Sequence, residues 1–148
     1  MNAPSPGNFE VTSREDLDIE FDELLDGLNN ERYTVVDARS LDEHTGRKAF
    51  AARAGRIPGA VHFEWTTALD PNREFRMRPA EELLELLSSR GIERQDELVV
   101  HCQTHRRSSY SYVMLKHLGF EHVRCYAGSW SEWGNRNDSP IETGPAKS

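Results

Sequence analysis

Cys102 stands where a reactive thiol would be placed. It follows Leu98, Val99, Val100 and His101, a short β-branched run that reads as a strand. It precedes Gln103, Thr104, His105, Arg106 and Arg107, after which Ser108 and Ser109 are positioned to cap a helix. In an open parallel α/β sheet, ligands gather beyond the carboxyl ends of the strands, so a strand end just before a helix is where chemistry is expected. The amides of such a loop can turn inward as a cradle at the helix start, where the dipole favours negative charge. With His105, Arg106 and Arg107 close by, the thiolate should be favoured relative to a free thiol near pKa ~8.5. The plain alternative is a small buried hydrophobe, common for free cysteine. A core cysteine, however, has no need of three basic neighbours in the next five residues.

Holding that loop in place requires alternating strands and helices. Phe21, Leu24, Leu25 and Leu28 have helical spacing, and Tyr33 to Ala38 then reads as the first strong strand, ending at Asp37 and Arg39. Residues 41–53 are polar and helix-compatible. Arg56 to Phe63 reads as a turn at Pro58 and Gly59 leading into a second strand. Residues 79–90 predict a helix that opens with Pro79, Glu81 and Glu82 and stops at Gly91. Beyond the Cys102 loop, Tyr112, Val113, Leu115 and Leu118 form one helical face before Gly119. Val123 to Ala127 is a further strand, which carries Cys125 as an inert core thiol. Strands separated by helices of this length imply an α/β fold with a parallel sheet covered on both faces.

The 148 residues suit one domain. No apolar run approaches the ~20 residues needed to span a bilayer, and the first residues lack a basic stretch followed by an apolar one, so neither a membrane nor an export signal is expected. Two cysteines without a CxxC do not make a secreted disulfide framework, and free thiols fit a reducing cytoplasm. The net charge of −7 argues against a nucleic-acid partner. It is unevenly spread: residues 1–31 hold nine acidic side chains against Arg14, a net of −8, which leaves +1 for residues 32–148. We therefore expect an acidic leader over 1–19, a domain over 20–136 and a polar tail over 137–148.

Four segments in order carry a family resemblance: Asp37-Ala38-Arg39, Arg56-Ile57-Pro58-Gly59-Ala60, the Cys102 loop, and Tyr126-Ala127-Gly128-Ser129-Trp130-Ser131-Glu132-Trp133. Together they resemble the rhodanese (thiosulfate sulfurtransferase) family over roughly residues 20 to 135, and especially the catalytic half of its two-domain members. The resemblance implies a three-layer rhodanese-like fold with a central parallel sheet of about five strands and helices on both faces. It implies a Cys102 that cycles between thiol and persulfide, taking sulfur from a small anionic donor such as thiosulfate. A thiol, cyanide or protein acceptor would then remove it, with no cofactor and no metal. Ping-pong kinetics follow from two displacements.

The resemblance also distributes roles. Main-chain amides from Gln103 to Ser108 would hold the sulfur anion, and Arg106 and Arg107 would attract and orient an anionic donor. His105 would donate to the donor or move a proton, or else be a solvent-facing loop residue. Thr104 would shape the turn. Asp37 and Arg39 would brace the loop, or form only a strand-end ion pair, and Trp130 with Trp133 would pack the core beside the site.

Departures from the family pattern matter too. The loop has no glycine, so His105 must supply the positive-φ turn. Neutral Gln103 stands where thiosulfate-type loops carry a basic residue, which weighs against thiosulfate as the natural donor but not against persulfide chemistry. No companion domain of the two-domain kind is expected, which suggests a small donor or a docking protein. Three rival readings remain: a cysteine phosphatase or arsenate reductase, a catalytically silent interaction module, and a metal site using His101, Cys102 and His105. The first needs Arg six positions after the cysteine, where this chain has Ser108. The second is opposed by the intact Cys102. The third lacks a ligand set, since His101 and Cys102 face opposite ways along the chain.

Overall fold

The computed structural model describes residues 7–8, 10–12 and 14–146. The elements run α1 (Phe21–Asn29), β1 (Thr34–Asp37), α2 (Leu41–Thr45), β2 (Val61–His62), β3 (Leu69–Asp70), β4 (Arg76–Met77), α3 (Ala80–Ser88), β5 (Leu98–His101), α4 (Arg106–His117), β6 (Val123–Cys125) and α5 (Ser129–Trp133). Four strands form one sheet in the order β2-β1-β5-β6, every pair parallel, while β3 and β4 make a small antiparallel ribbon.

Of the roughly five parallel strands expected, four are present among the described residues. The next place along the sheet, outside β6, is taken by a single parallel bridge from Asp18 to Cys125, with the Ile19 amide donating to the Cys125 carbonyl at 3.0 Å. The acidic run around Asp16 and Asp18 has too few apolar residues to bury both faces of a longer strand.

The sheet divides two cores by simple alternation. Val36, Leu98, Val100 and Val123 point to the side covered by α3 and α4, where they meet Leu83, Leu87, Met114 and Leu115. Val35 and Val99 point to the other side, covered by α1 and α5, where they meet Phe21, Leu24, Trp130 and Trp133. Each fully buried aliphatic side chain contributes about 1.5–3 kcal/mol. This two-sided burial explains why β5 is buried at all four positions.

Helix α2 is shorter than the expected 41–53 span. Ser40 caps it, accepting from the Glu43 amide while the Glu43 carboxylate accepts from the Ser40 amide, a reciprocal capping box. It ends at Gly46 in the left-handed region (φ 85°), and the amides of Arg47 and Lys48 both turn back to the Asp42 carbonyl. Beyond α5 the chain folds back: Glu142 pairs backbone to backbone with Arg56, and the Trp133 indole donates to the Pro140 carbonyl at 2.7 Å.

Candidate active site

β5 delivers Cys102 to the carboxyl edge of the sheet, and α5 pins it there. Its carbonyl accepts from the Trp130 amide at 3.0 Å and the Gln103 carbonyl from the Ser131 amide at 2.9 Å, two first-turn amides that have no acceptor within their own helix. The Cys102 amide donates to the Ser129 hydroxyl at 3.3 Å. The turn falls to His105, which sits at φ 63° and ψ 5° as the residue before α4, so the position that would ordinarily be glycine is taken by a side chain tolerant of that region. The helix therefore begins at Arg106, two residues before the serines expected to cap it, and Ser108 lies inside its first turn.

That early start decides the chemistry of the thiol. Cys102 is 1% exposed, and burial alone would push its pKa up. The polar groups of the loop, the Ser108 hydroxyl first and then the amides of Ser108, Thr104 and Arg107, more than offset that burial and leave the thiol below its ordinary value. Arg107 and Ser108 belong to the first turn of α4, whose amides lack helical acceptors, so the helix start solvates the sulfur anion. Cys125 shows the contrast: buried in the core and facing the Asp18 carboxylate, it is pushed up to about 12.

The two loop arginines part company. Arg107 is gripped by Glu43, with guanidinium-to-carboxylate distances of 2.7 and 2.9 Å, and its charge also acts on Cys102. Arg106 is exposed, as is Thr104. Gln103 turns aside, its side-chain amide donating to the Phe50 carbonyl at 3.3 Å. The His105 imidazole lies 2.8 Å from the Ser108 hydroxyl through Nδ1.

This thiol, seated at a strand end in a ring of main-chain and hydroxyl donors, has clear relatives. Residues 20–136 match the rhodanese-like domain family. The chain belongs to that family. It is 42% identical over 140 residues to a thiosulfate sulfurtransferase of Pseudomonas aeruginosa, covering 95% of this chain and 51% of the relative. A thiosulfate sulfurtransferase of Azotobacter vinelandii is 44% identical, with 96% and 52% covered. The sulfur carrier protein TtuD of Thermus thermophilus is 38% identical, with 94% and 53% covered. The chain thus spans about half the length of these relatives. Among solved structures, the anaerobic ergothioneine biosynthesis enzyme of Chlorobium limicola superposes with a TM-score of 0.80 at 29% identity, covering 89% of this chain and 33% of that one. A structure of EanB carrying a cysteine persulfide superposes at 0.82 and 26% identity, covering 93% and 34%.

Beside the loop of this rhodanese-like domain lies a buried polar cluster. Asp37, at the end of β1 and opposite His101 in the sheet, is fully buried. It accepts from Arg39 at 2.9 and 2.7 Å and pairs with His44 at 2.9 Å; His101 stands 3.7 Å away. Burial would raise the Asp37 carboxyl, but the nearby His101, His44 and Arg39 more than offset it, and the carboxyl lies well below its usual range. His101 is itself pushed down to about 4 by burial, against the pull of Asp37, so it is neutral at pH 7. Arg39, always charged, is thus the group that holds the carboxylate at neutral pH. Arg39 also donates to the Gly55 carbonyl and stacks 4.4 Å over the fully buried Trp130, which ties the first strand to α5 and so to the Cys102 carbonyl.

Glu43 and His44 are members of this neighbourhood that the sequence motifs did not single out, and His101 appears there only as a rival metal ligand. Ser40-x-x-Glu43 is a legible capping-box spacing and could have flagged Glu43 as held in place. Nothing in spacing announces that His101 meets Asp37, because that meeting depends on the β1–β5 register, while His44 reaches the same carboxylate from α2. A cleft of about 380 Å³ lies at the opposite, amino end of the strands, but its arginines are already engaged, Arg32 with Glu97 and Arg124 with Glu23.

Proposed function

We propose that this rhodanese-like domain transfers a sulfane sulfur from a donor to a thiophilic acceptor through a persulfide on Cys102. The observation that carries the reading is the seat of Cys102 at the end of β5, pinned by the Trp130 and Ser131 amides of α5 and followed by the left-handed His105 turn into the start of α4. In the first displacement the Cys102 thiolate attacks the outer sulfur of a donor such as thiosulfate. A Cys102 S–S bond forms, the donor's S–S bond breaks, and sulfite leaves with the bonding pair. In the second, a thiolate, cyanide or protein-borne nucleophile attacks the outer sulfur, and Cys102 departs as the thiolate that the cradle already stabilises.

Arg106, exposed at the loop, would orient an anionic donor; Arg107, committed to Glu43, would act on the sulfur itself. Gln103, Thr104, His105 and Ser108 supply the loop's shape and donors, and Asp37, Arg39 and Trp130 hold the loop's anchorage. A cytoplasmic setting suits two free thiols. Among the described residues no helix is long and apolar enough to cross a membrane.

Steady-state rates with thiosulfate and cyanide varied together test the scheme. Parallel double-reciprocal lines are expected from a persulfide intermediate; intersecting lines, or hydrolysis of phosphate esters without sulfur transfer, would overturn it.

A further inference from the structure

Between α2 and β2 the chain builds an exposed tip against the active loop. It leaves α2 at Gly46 and is held again from Ala52 onward: the Ala52 amide donates to the Asn135 side chain at 2.8 Å, the Arg53 amide to the Gly134 carbonyl at 3.0 Å, and the Trp130 indole to the Arg53 carbonyl at 3.0 Å. Between these anchors Arg47, Lys48, Ala49 and Phe50 are all exposed. Phe50 is 60% exposed even with Lys48 Nζ 4.7 Å from its ring centroid. Its carbonyl accepts from the side chain of Gln103, the residue after Cys102, so the tip borders the active loop. This face is basic in an acidic chain: no Asp or Glu occurs from residue 44 to 63 or from 98 to 120, while the whole chain carries −7. Arg47 pairs with Asp42 and Arg107 with Glu43, but among the described residues no carboxylate pairs with Lys48 or Arg106.

We infer that the tip from Arg47 to Phe50, together with Arg106, is a docking surface for an acidic segment of a protein partner whose thiol takes the sulfur from Cys102. The inference rests on Cys102 as the sulfur carrier and adds what the acceptor is. Cys102 is 1% exposed, so an acceptor thiol must be brought up and held while it reacts, and contacts outside the loop supply that hold. Cyanide and thiosulfate have no apolar part to lay on Phe50, whereas a peptide segment has. A ring carried on an anchored backbone is ordered before the partner arrives, and aromatic side chains carry a large share of the energy where proteins meet. Lys48 and Arg106 then favour carboxylates in the segment. Nucleic acid fits less well, since its long run of phosphates would meet the acidic remainder of the chain. In the transfer the acceptor thiolate attacks the outer sulfur of the Cys102 persulfide. A new S–S bond forms on the acceptor, the outer sulfur keeps its proton, and the bond to Cys102 breaks with the electron pair left on Cys102 as thiolate.

The probes are a short peptide with a single cysteine, a leucine and several glutamates, and its analogue with lysines in place of the glutamates. With Cys102 loaded with sulfur, the wild type should pass it to the glutamate peptide with a kcat/KM about tenfold above that for the lysine peptide at low salt, and the gap should narrow as salt rises. Phe50→Ser should cut transfer to the glutamate peptide about three- to tenfold and leave transfer to cyanide unchanged. Lys48→Glu should shrink or reverse the preference between the peptides. Both side chains are exposed, so both variants should keep the urea midpoint of the wild type. Equal use of the two peptides by the wild type, or variants that leave peptide transfer unchanged, overturns the surface. So does a Phe50→Ser loss that is as large for sulfur uptake from thiosulfate, which would assign the ring to a small donor, or a wild-type dimer that Phe50→Ser dissociates, which would assign it to a second copy of the chain. Binding of the same peptides with serine in place of cysteine, followed by fluorescence anisotropy, needs no sulfur chemistry. A wild type that takes up sulfur and yields it to cyanide but binds neither peptide defeats the docking surface alone; one that binds the glutamate peptide but takes up no sulfur from any donor defeats the sulfur-transfer reading instead.

Discussion

Glu43 holds the guanidinium of Arg107 with both carboxylate oxygens, at 2.7 and 2.9 Å, and so joins α2 to the first turn of the helix that cradles Cys102. Burial would raise this carboxyl, but Arg107 and Ser40 bring it down to about 2, from an ordinary value near 4.5. A depressed carboxyl stabilises the fold above its unfolded pKa and loses that contribution as pH falls. The pair should therefore contribute fully above about pH 4.5 and fade between there and pH 2, by about 2–3 kcal/mol once the partial exposure of Arg107 is allowed for. Glu43→Gln should remove this acid-dependent portion, which urea titrations at pH 7 and pH 3 would measure. An unchanged difference between the two pH values would refute it.

Asp37 bears more. Asp37→Asn leaves Arg39 buried without its counter-charge, and breaking a buried pair from one side costs about 3–5 kcal/mol. The loss should appear as a lower urea midpoint with an unchanged slope, since the unfolded chain is the same. A stability within about 0.5 kcal/mol of the wild type would show that the cluster is incidental.

The two cysteines should react very differently. With Cys102 below the ordinary thiol value and Cys125 at about 12, a limiting amount of iodoacetamide at pH 7 should label Cys102 and spare Cys125. Peptide mass mapping checks this. Preferential labelling of Cys125 would mean that the helix start does not stabilise the anion.

The loop arginines should separate in kinetics. Arg106→Ala removes an exposed charge and should raise the KM for an anionic donor roughly two- to fivefold, less so at high salt, with kcat retained. Arg107→Ala should lower kcat as well, because it takes a charge from the sulfur and leaves Glu43 buried without its partner. Identical effects from both would mean that the Glu43 contact does not distinguish them.

Much of this site is legible in the order of residues. The apolar run before Cys102 and the basic loop after it place a thiol at a strand end, and the missing glycine points to His105 as the turn, where the chain does adopt φ 63°. The paired tryptophans read as core, and both are fully buried. Other features needed the fold. Helix α4 starts at Arg106 rather than at the serines because the His105 turn closes early, and that single offset moves Ser108 from the cap into the first turn. Arg107 reads as a free anion binder until α2 brings Glu43 across a separation of 64 residues. His101 and Asp37 meet only through strand register. Spacing along a chain reports local periodicity; it is silent on which distant side chain neutralises a charge.

Intact mass after incubation with thiosulfate and with a second sulfane donor bears most directly on the persulfide. The native protein should gain one sulfur atom and release it on addition of cyanide, and Cys102→Ser should gain none. A folded native protein that takes up no sulfur from either donor, or a Cys102→Ser protein that still does, would contradict the assignment of Cys102 as the sulfur carrier.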